Sequence, residues 1–187
     1  MTKITLLGDS IRMGYGKRVE ELLGDSYQTV QFDDNGRFVK YTLRGVLHEW
    51  QPEIRGSEIV HWNNGLWDVC DLHEGVPFTS LDEYLDNLGR VADALHRLGA
   101  KVIFATSTPV RPEMWGHSIE RIRQYNSAAA ELLTGKGVYI NDLFTPVYRD
   151  LDRCISKEDL IHLTPHGVEL CAGLVAGAIR KVHDENA

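Results

Sequence analysis

The sequence predicts an α/β protein: a three-layer α/β/α sandwich built around about five parallel strands. Short apolar segments of strand length alternate along the chain with longer segments that have helical periodicity, and the connections are short. Parallel strands need such crossover helices, which cover both faces of the sheet. Since no Pro/Ser-rich linker, repeat or low-complexity stretch divides residues 1–187, we expect a single domain.

Five segments have the composition of buried strands. Apolar and β-branched residues are frequent in them, and clusters rich in Gly, Asn, Asp or Pro follow most of them. The predicted strands are residues 4–7, 27–32, 57–62, 101–105 and 138–140.

The segments between the strands carry apolar residues at helical spacing. The clearest helix covers residues 81–98, and Gly99 ends its pattern. The last helix begins at Thr164 and Pro165, an N-cap threonine and a first-turn proline, and runs to about residue 183. Other helices are predicted in the second half of 11–23, over 39–50 up to Pro52, and over 117–133, whereas 66–80 is expected to be a loop with at most a short helical piece.

Charge and cysteine content limit the possible partners and compartments. The net charge of −7 argues against nucleic acid, and the longest apolar run, residues 170–179, is too short for membrane insertion. The three cysteines are widely spaced and form no CxxC motif, which is typical of reduced thiols. Because the first strand starts near the N-terminus and leaves no room for a signal peptide, we expect a cytoplasmic protein.

A serine follows the first predicted strand, at the edge of the sheet where ligands bind in α/β proteins. The tripeptide 8–10, Gly-Asp-Ser, turns the backbone and leaves Ser10 at the carboxyl end of that strand. Asp159 and His162 lie three residues apart, just before the last helix. At this spacing the carboxylate can bind Nδ1 of the imidazole while Nε2 faces a serine. The pattern indicates a nucleophile, a base and an acid.

His166, four residues after His162, is a rival base. It falls in the first turn of the predicted last helix and has no acidic residue three positions before it. We therefore favour His162.

Acyl transfer also needs hydrogen-bond donors for the developing oxyanion. The turn after the third strand offers the side-chain amides of Asn63 and Asn64, and the turn after the second strand offers the N–H of Gly36. The N–H of Ser10 is a further candidate. Asn and Gly are also ordinary turn residues, so a plain turn is the alternative at these positions.

These blocks together resemble the SGNH/GDSL hydrolase superfamily of serine esterases and acetylesterases. The tripeptide 8–10, the asparagine after the third strand, and Asp159-x-x-His162 with Gly167 behind it match in order and spacing over nearly the whole chain. The resemblance implies a flavodoxin-like fold and hydrolysis of small acyl esters through an acyl-serine intermediate, with no cofactor.

The resemblance also implies roles for individual residues. Ser10 matches the nucleophile and first oxyanion donor, and Gly36 matches the glycine of the second block. The third block, usually Gly-x-Asn-Asp, here reads His-Trp-Asn-Asn over 61–64. Aligning the asparagine makes Asn63 the side-chain donor, with Asn64 as the alternative.

Four residues near these blocks are candidate substrate contacts. Asp9 and Arg12 flank Ser10, while Trp62 and Trp67 flank the asparagine turn and could stack on sugar rings. We expect a small-molecule or oligosaccharide ester as substrate, most simply an acetyl ester of a carbohydrate.

Two other functions stay open. A lysophospholipase or thioesterase would need a longer apolar trough, which residues 66–80 could supply. A non-catalytic binding module of the same fold is the alternative from a different class.

Metal or nucleotide chemistry is not indicated. The histidines show no paired ligand spacing beyond His162 and His166, and no HExxH motif occurs. A Walker loop and a complete dinucleotide-binding fingerprint are also missing from the sequence.

Overall fold

A parallel five-stranded sheet forms the centre of the protein, whose computed structural model describes residues 1–185. Its strands, in chain order, are β1 (Thr2–Leu7), β2 (Tyr27–Gln31), β3 (Ile59–Asn63), β6 (Lys101–Ala105) and β7 (Tyr139–Asn141), and they lie in the order β2-β1-β3-β6-β7. Two further strands, β4 (Asp71–His73) and β5 (Val76–Pro77), form a separate antiparallel hairpin. The predicted parallel sheet of five strands is confirmed.

Helices cover the sheet in two layers. The helices are α1 (Ser10–Leu23), α2 (Val39–Leu47), α3 (Gln51–Ile54), α4 (Leu66–Val69), α5 (Leu81–Arg97), α6 (Ile119–Gly135), α7 (Phe144–Arg149), α8 (Leu151–Cys154) and α9 (Pro165–Asp184). Helices α1 and α9 pack against each other, and α5 packs against both α2 and α6. This is the α/β/α sandwich that the sequence predicts.

The central strands are buried on both faces, as expected of a sheet covered by two layers of helices. All five residues of β3 are buried, and the core continues through apolar side chains of β1, β6, α5 and α9. Of the helices in residues 1–185, each is too short or too polar to cross a lipid bilayer.

The helix predicted over residues 39–50 ends three residues early, at Leu47, and a second short helix, α3, begins after it at Gln51. Trp50 folds back over Gly45, where a Cβ atom would lie 2.3 Å from the indole ring, and the N–H of Trp50 donates to the Gly45 carbonyl at 2.8 Å. The helix therefore ends at Leu47, and Pro52 lies in the first turn of α3 instead of terminating α2.

Candidate active site

The end of β1 brings Ser10 to the carboxyl edge of the sheet. Gly8 has a φ of +151°, and a Cβ atom there would lie 1.9 Å from Oδ1 of Asn63, so the position requires glycine. Asp9 then caps α1, because its carboxylate accepts the N–H of Ile11 at 2.9 Å. Ser10 is the first residue of α1 and lies at the positive end of that helix.

Two hydrogen bonds connect Ser10, His162 and Asp159. The distance from Ser10 Oγ to His162 Nε2 is 2.9 Å, and the distance from His162 Nδ1 to Asp159 Oδ2 is also 2.9 Å. An ionised carboxylate only accepts hydrogen bonds, so Nδ1 carries the proton and Nε2 accepts from the serine hydroxyl. The structure brings these three residues together in the geometry of a serine-histidine-aspartate triad.

Asp159 is held in its ionised form. The backbone N–H of His162 does most to lower the pKa of this carboxyl to about 2, and the N–H of Ile161 and the imidazole act in the same direction. The two backbone N–H groups donate to Oδ1 at 3.0 and 3.2 Å, which leaves Oδ2 for the imidazole. The negative charge therefore persists across the physiological pH range and favours the proton on Nδ1.

A short closed loop, residues 155–163, carries the base and the acid; we call it the base loop. Its two ends pair in an antiparallel β-bridge between Ile155 and Leu163. One residue further in, the N–H of Ser156 donates to the carbonyl of His162 at 2.9 Å. The loop is therefore closed at its base, directly before α9 begins.

The two asparagines after β3 have different environments. Asn64 uses its side chain within the fold: Oδ1 accepts the indole N–H of Trp62 at 2.7 Å, and Nδ2 donates to the Arg37 carbonyl at 2.9 Å. Nδ2 of Asn63 donates one hydrogen to Asp9 Oδ1 at 3.0 Å and carries a second one. Of the two, Asn63 is the residue whose side chain is bound to the segment that carries Ser10, through Asp9.

Gly36 lies beside the turn after β1, but its N–H is already engaged. It donates to the Gly8 carbonyl at 2.9 Å, and a Cβ atom on Gly36 would lie 2.8 Å from that oxygen. Thr42 Oγ1 donates to the Gly36 carbonyl at 2.8 Å and fixes the same segment. This arrangement contradicts the prediction of Gly36 as an oxyanion donor, and glycine is required instead because two backbone segments touch here.

Comparison with known proteins identifies structural neighbours. Neither a family model nor a curated protein matches the chain. A lipase/acylhydrolase from Enterococcus faecalis has 21% identity and a TM-score of 0.81, over 97% of this chain and 96% of that one. An acetyl xylan esterase has 19% identity and a TM-score of 0.78, over 95% of this chain and 99% of the other. A member of the lipolytic G-D-S-L family from Veillonella parvula has 15% identity and a TM-score of 0.74, with coverages of 93% and 96%.

The chain has the SGNH/GDSL hydrolase fold. The resemblance seen in the sequence is thereby confirmed for the fold. At these identities the likeness extends no further, so the chemistry has to be argued from the site itself.

Asp9 and Arg12, the two predicted substrate contacts next to Ser10, are both buried. The Asp9 carboxylate is 1% exposed, and burial raises its pKa from the usual value. The Arg12 guanidinium is also buried, and it donates to the carbonyls of Phe32 and Asp34 at 2.8 and 3.0 Å. The prediction for Arg12 is wrong because its guanidinium turns inward and binds the segment after β2. Asp9 lines the cleft beside Ser10, so its substrate contact stays a prediction.

The two tryptophans near the asparagine turn differ in the same way. Trp62 is fully buried and packs edge-on against Phe104 at 4.8 Å between ring centroids, so it cannot stack on a sugar. Trp67, on α4, is 45% exposed and lines the cleft above Ser10. The prediction for Trp62 is therefore wrong, whereas the position of Trp67 is compatible with substrate contact.

A cleft of about 320 Å³ opens directly at Ser10 and His162. Five of its eleven lining residues come from residues 66–80, which we call the flap, and which contains α4 and the hairpin of β4 and β5. Large apolar side chains dominate the wall: Phe38, Leu66, Trp67, Leu72, Phe78 and Ile161.

Sequence reasoning missed three residues of this wall. One of them, Phe38, lies directly before α2. Another, Ile161, lies between the predicted acid and base, and an apolar residue at that position could have indicated an apolar cleft wall. His117 also lines the cleft, and nothing in its sequence surroundings marks it.

His166, the rival base, belongs to a different cluster. Its Nε2 lies 3.0 Å from Asp150 Oδ2, and its Nδ1 lies 3.3 Å from the guanidinium of Arg153. Among the residues described, Asp150, Cys154 and His166 place possible metal-ligating atoms within 4.8 Å of one another. Because Arg153 also lies 3.3 Å from Asp150, a metal cation there would face a positive charge, and the groups already satisfy one another.

Proposed function

We propose that this protein is a serine ester hydrolase that acts through an acyl-Ser10 intermediate. The supporting observation is the line of two 2.9 Å hydrogen bonds from Ser10 through His162 to Asp159, at the floor of an open cleft. A serine hydroxyl becomes a nucleophile only when a base takes its proton and a third group orients that base.

In the first half-reaction, Ser10 Oγ attacks the carbonyl carbon of the ester while its proton moves to His162 Nε2. Asp159 stabilises the imidazolium that forms. The N–H of Ser10, at the start of α1, and the second N–H of Asn63 Nδ2 donate to the oxyanion. His162 then gives the proton to the leaving alcohol as the ester C–O bond breaks.

In the second half-reaction, water replaces the alcohol. His162 Nε2 takes a proton from the water, whose oxygen attacks the acyl carbon. The same donors stabilise the oxyanion, and the proton returns to Ser10 Oγ when the carboxylic acid leaves.

We further propose that the acyl group is an apolar chain of several carbons. The sequence favours acetyl esters of carbohydrates, and acetyl xylan esterases among the structural neighbours support that possibility. The aromatic and aliphatic wall of the cleft supports the alternative, because each buried methylene adds about 0.8 kcal/mol of binding free energy. An acetyl group would leave most of this wall in contact with water.

The test is hydrolysis of p-nitrophenyl acetate, butyrate and octanoate by the wild type, Ser10→Ala and the control Ser26→Ala, an exposed serine outside the cleft. Activity should vanish in Ser10→Ala, persist in Ser26→Ala, and rise several-fold in kcat/KM from acetate to octanoate. A fluorophosphonate probe should label wild-type Ser10 in parallel.

Each other outcome points to another function. A steep fall of activity with chain length, together with hydrolysis of acetylated oligosaccharides, would restore the acetylesterase prediction. A well-folded wild type that hydrolyses no ester and resists the fluorophosphonate would contradict ester hydrolysis and favour the binding module.

A further inference from the structure

Arg111 connects the base loop to the central sheet. It ends the segment that follows β6, residues 106–111, and is 9% exposed. Its guanidinium donates through Nε to the Ile155 carbonyl and through Nη2 to the Asp152 carbonyl, both at 3.1 Å. Its backbone N–H donates to the Leu160 carbonyl at 2.8 Å. One residue therefore holds both the start and the tip of the base loop.

The segment that carries Arg111 is itself firmly fixed. All residues of 106–111 are buried. Thr106 Oγ1 accepts the N–H of Leu143 at 2.9 Å, and the backbone of Ser107 exchanges two hydrogen bonds with the Asn126 amide, at 2.8 and 2.9 Å. Arg111 is thus a rigid extension of the sheet edge, against which the loop can be positioned.

The tip of the base loop needs such support. Leu160, between Asp159 and His162, has a φ of +67°, a left-handed conformation that a leucine adopts only where its surroundings impose it. Its N–H donates to the Ser156 carbonyl at 3.2 Å, and its carbonyl accepts from Arg111. Both sides of this strained residue are therefore bound, and His162 follows two positions later.

The ion pair that Arg111 forms contributes too little to folding stability to explain why a guanidinium is buried here. Its one acidic partner, the Asp152 carboxylate at 3.0 Å, is 85% exposed, and such pairs contribute little. A buried guanidinium also loses hydration, which hydrogen bonds have to offset. The two bonds to backbone carbonyls are directional, and they fix where the base loop begins.

We infer that Arg111 is a positioning residue that holds the base loop so that His162 Nε2 reaches Ser10 Oγ. This inference rests on the proposed ester hydrolysis for its kinetic consequence. A displacement of about 1 Å in a catalytic group can lower turnover by about a hundredfold, so a residue remote from substrate can control the rate.

The kinetic test compares Arg111→Ala and Arg111→Lys with Asp152→Ala. We expect Arg111→Ala to lower kcat by about tenfold to a hundredfold with KM nearly unchanged, because substrate does not touch Arg111. Arg111→Lys, which keeps the charge and one donor direction, should fall between Arg111→Ala and wild type. Asp152→Ala should stay close to wild type, since it removes only the exposed ion pair. Ethylguanidinium should restore part of kcat in Arg111→Ala but none in Asp159→Asn.

A second readout does not depend on turnover. In proton NMR of the wild type, His162 Nδ1–H bound to Asp159 should give a downfield resonance that is absent in Asp159→Asn. Arg111→Ala should weaken or broaden this signal, and ethylguanidinium should bring it back. If the wild type hydrolyses no ester but the signal behaves in this way, the proposed function fails and the positioning role stands.

Two results would overturn the inference. In one, folded Arg111→Ala keeps both the wild-type kcat and the downfield signal. In the other, kcat falls only in proportion to the fraction of folded protein, and neither Arg111→Lys nor ethylguanidinium recovers it. Thermal unfolding of every variant, followed by circular dichroism, separates the second case from loss of positioning.

Discussion

Asp68 is a buried carboxylate that caps a helix from outside it. Both of its oxygens accept the N–H of Val39, the first residue of α2, at 3.1 and 3.2 Å, whereas the residue before that helix offers no side-chain cap. Burial raises the pKa of Asp68 to about 7, and hydrogen bonds from Thr79 and Val39 only partly oppose this rise. A carboxyl group in this position titrates near neutral pH.

This raised pKa makes stability depend on pH. The folded state binds a proton at Asp68 more tightly than the unfolded state, whose value is 3.8. The stabilising contribution is therefore complete below about pH 4 and is lost as pH rises through 7. Asp68→Asn should remove this dependence and gain up to about 4 kcal/mol relative to wild type above pH 7. Thermal unfolding at pH 4.5 and pH 8 measures how the stability of the wild type and of Asp68→Asn changes with pH. Equal changes in the two proteins would contradict the raised pKa of Asp68.

Asn63 and Asn64 should separate catalysis from stability. Asn63→Ala removes the oxyanion donor that we propose, so kcat should fall by about a hundredfold to a thousandfold. Asn64→Ala removes the hydrogen bonds to Trp62 and Arg37 and should mainly lower the melting temperature. Steady-state kinetics and thermal unfolding of both variants test this. A larger loss of kcat in folded Asn64→Ala than in Asn63→Ala would reverse the two roles.

At the scale of elements, the flap determines the shape of the cleft. A two-residue turn, Glu74 and Gly75, joins its two strands with φ of +56° and +79°, the geometry of tight hairpins. Arg121, on α6, then holds the hairpin by donating to the carbonyls of Val69 and Gly75 at 3.3 and 2.8 Å. Arg121 thus ties the flap to α6 through the flap's backbone, in addition to the buried side chains of Leu66 and Val69.

Arg121→Met should loosen the flap without disturbing the triad. We expect KM for p-nitrophenyl octanoate to rise about threefold to tenfold, because a mobile wall contributes less apolar contact, while acetate hydrolysis changes little. Arg123→Met is a matched control, since Arg123 lies on the same helix but packs over Phe144 and Tyr148. Equal effects of both variants on the octanoate KM would contradict a role of Arg121 in the cleft.

The sequence predicts an element well when neighbouring residues alone determine it. The strand before Ser10 and the pair Asp159 and His162 could be predicted from the sequence, because a turn follows the strand and three positions separate the acid from the base. The flap hairpin could not, since its strands have three and two residues and no alternating pattern. Its form depends instead on Arg121 and on the carbonyl of Gly116, which accepts the N–H of Asp71 at 2.6 Å.

At the scale of the whole molecule, strand order decides which side chains meet. β1 lies between β2 and β3, so the turns after all three parallel strands lie at the same edge of the sheet. The direction of each donor depends on three-dimensional contacts: Gly36 touches Gly8, and Trp62 lies at the centre of a sheet buried on both faces. These contacts cannot be predicted from residue type and position along the chain.

The triad joins residues that are far apart in sequence. Ser10 and His162 are separated by 152 positions, and α1 and α9, which carry or follow them, pack together. Contacts between such distant segments are slow to form because a long loop must close first. During refolding from urea, the helical signal should therefore return before Ser10 reacts with a fluorophosphonate. The reactivity of Ser10 would then report the last stage of folding. Any substitution that delays the packing of α9 against α1 would delay the return of this reactivity by the same time.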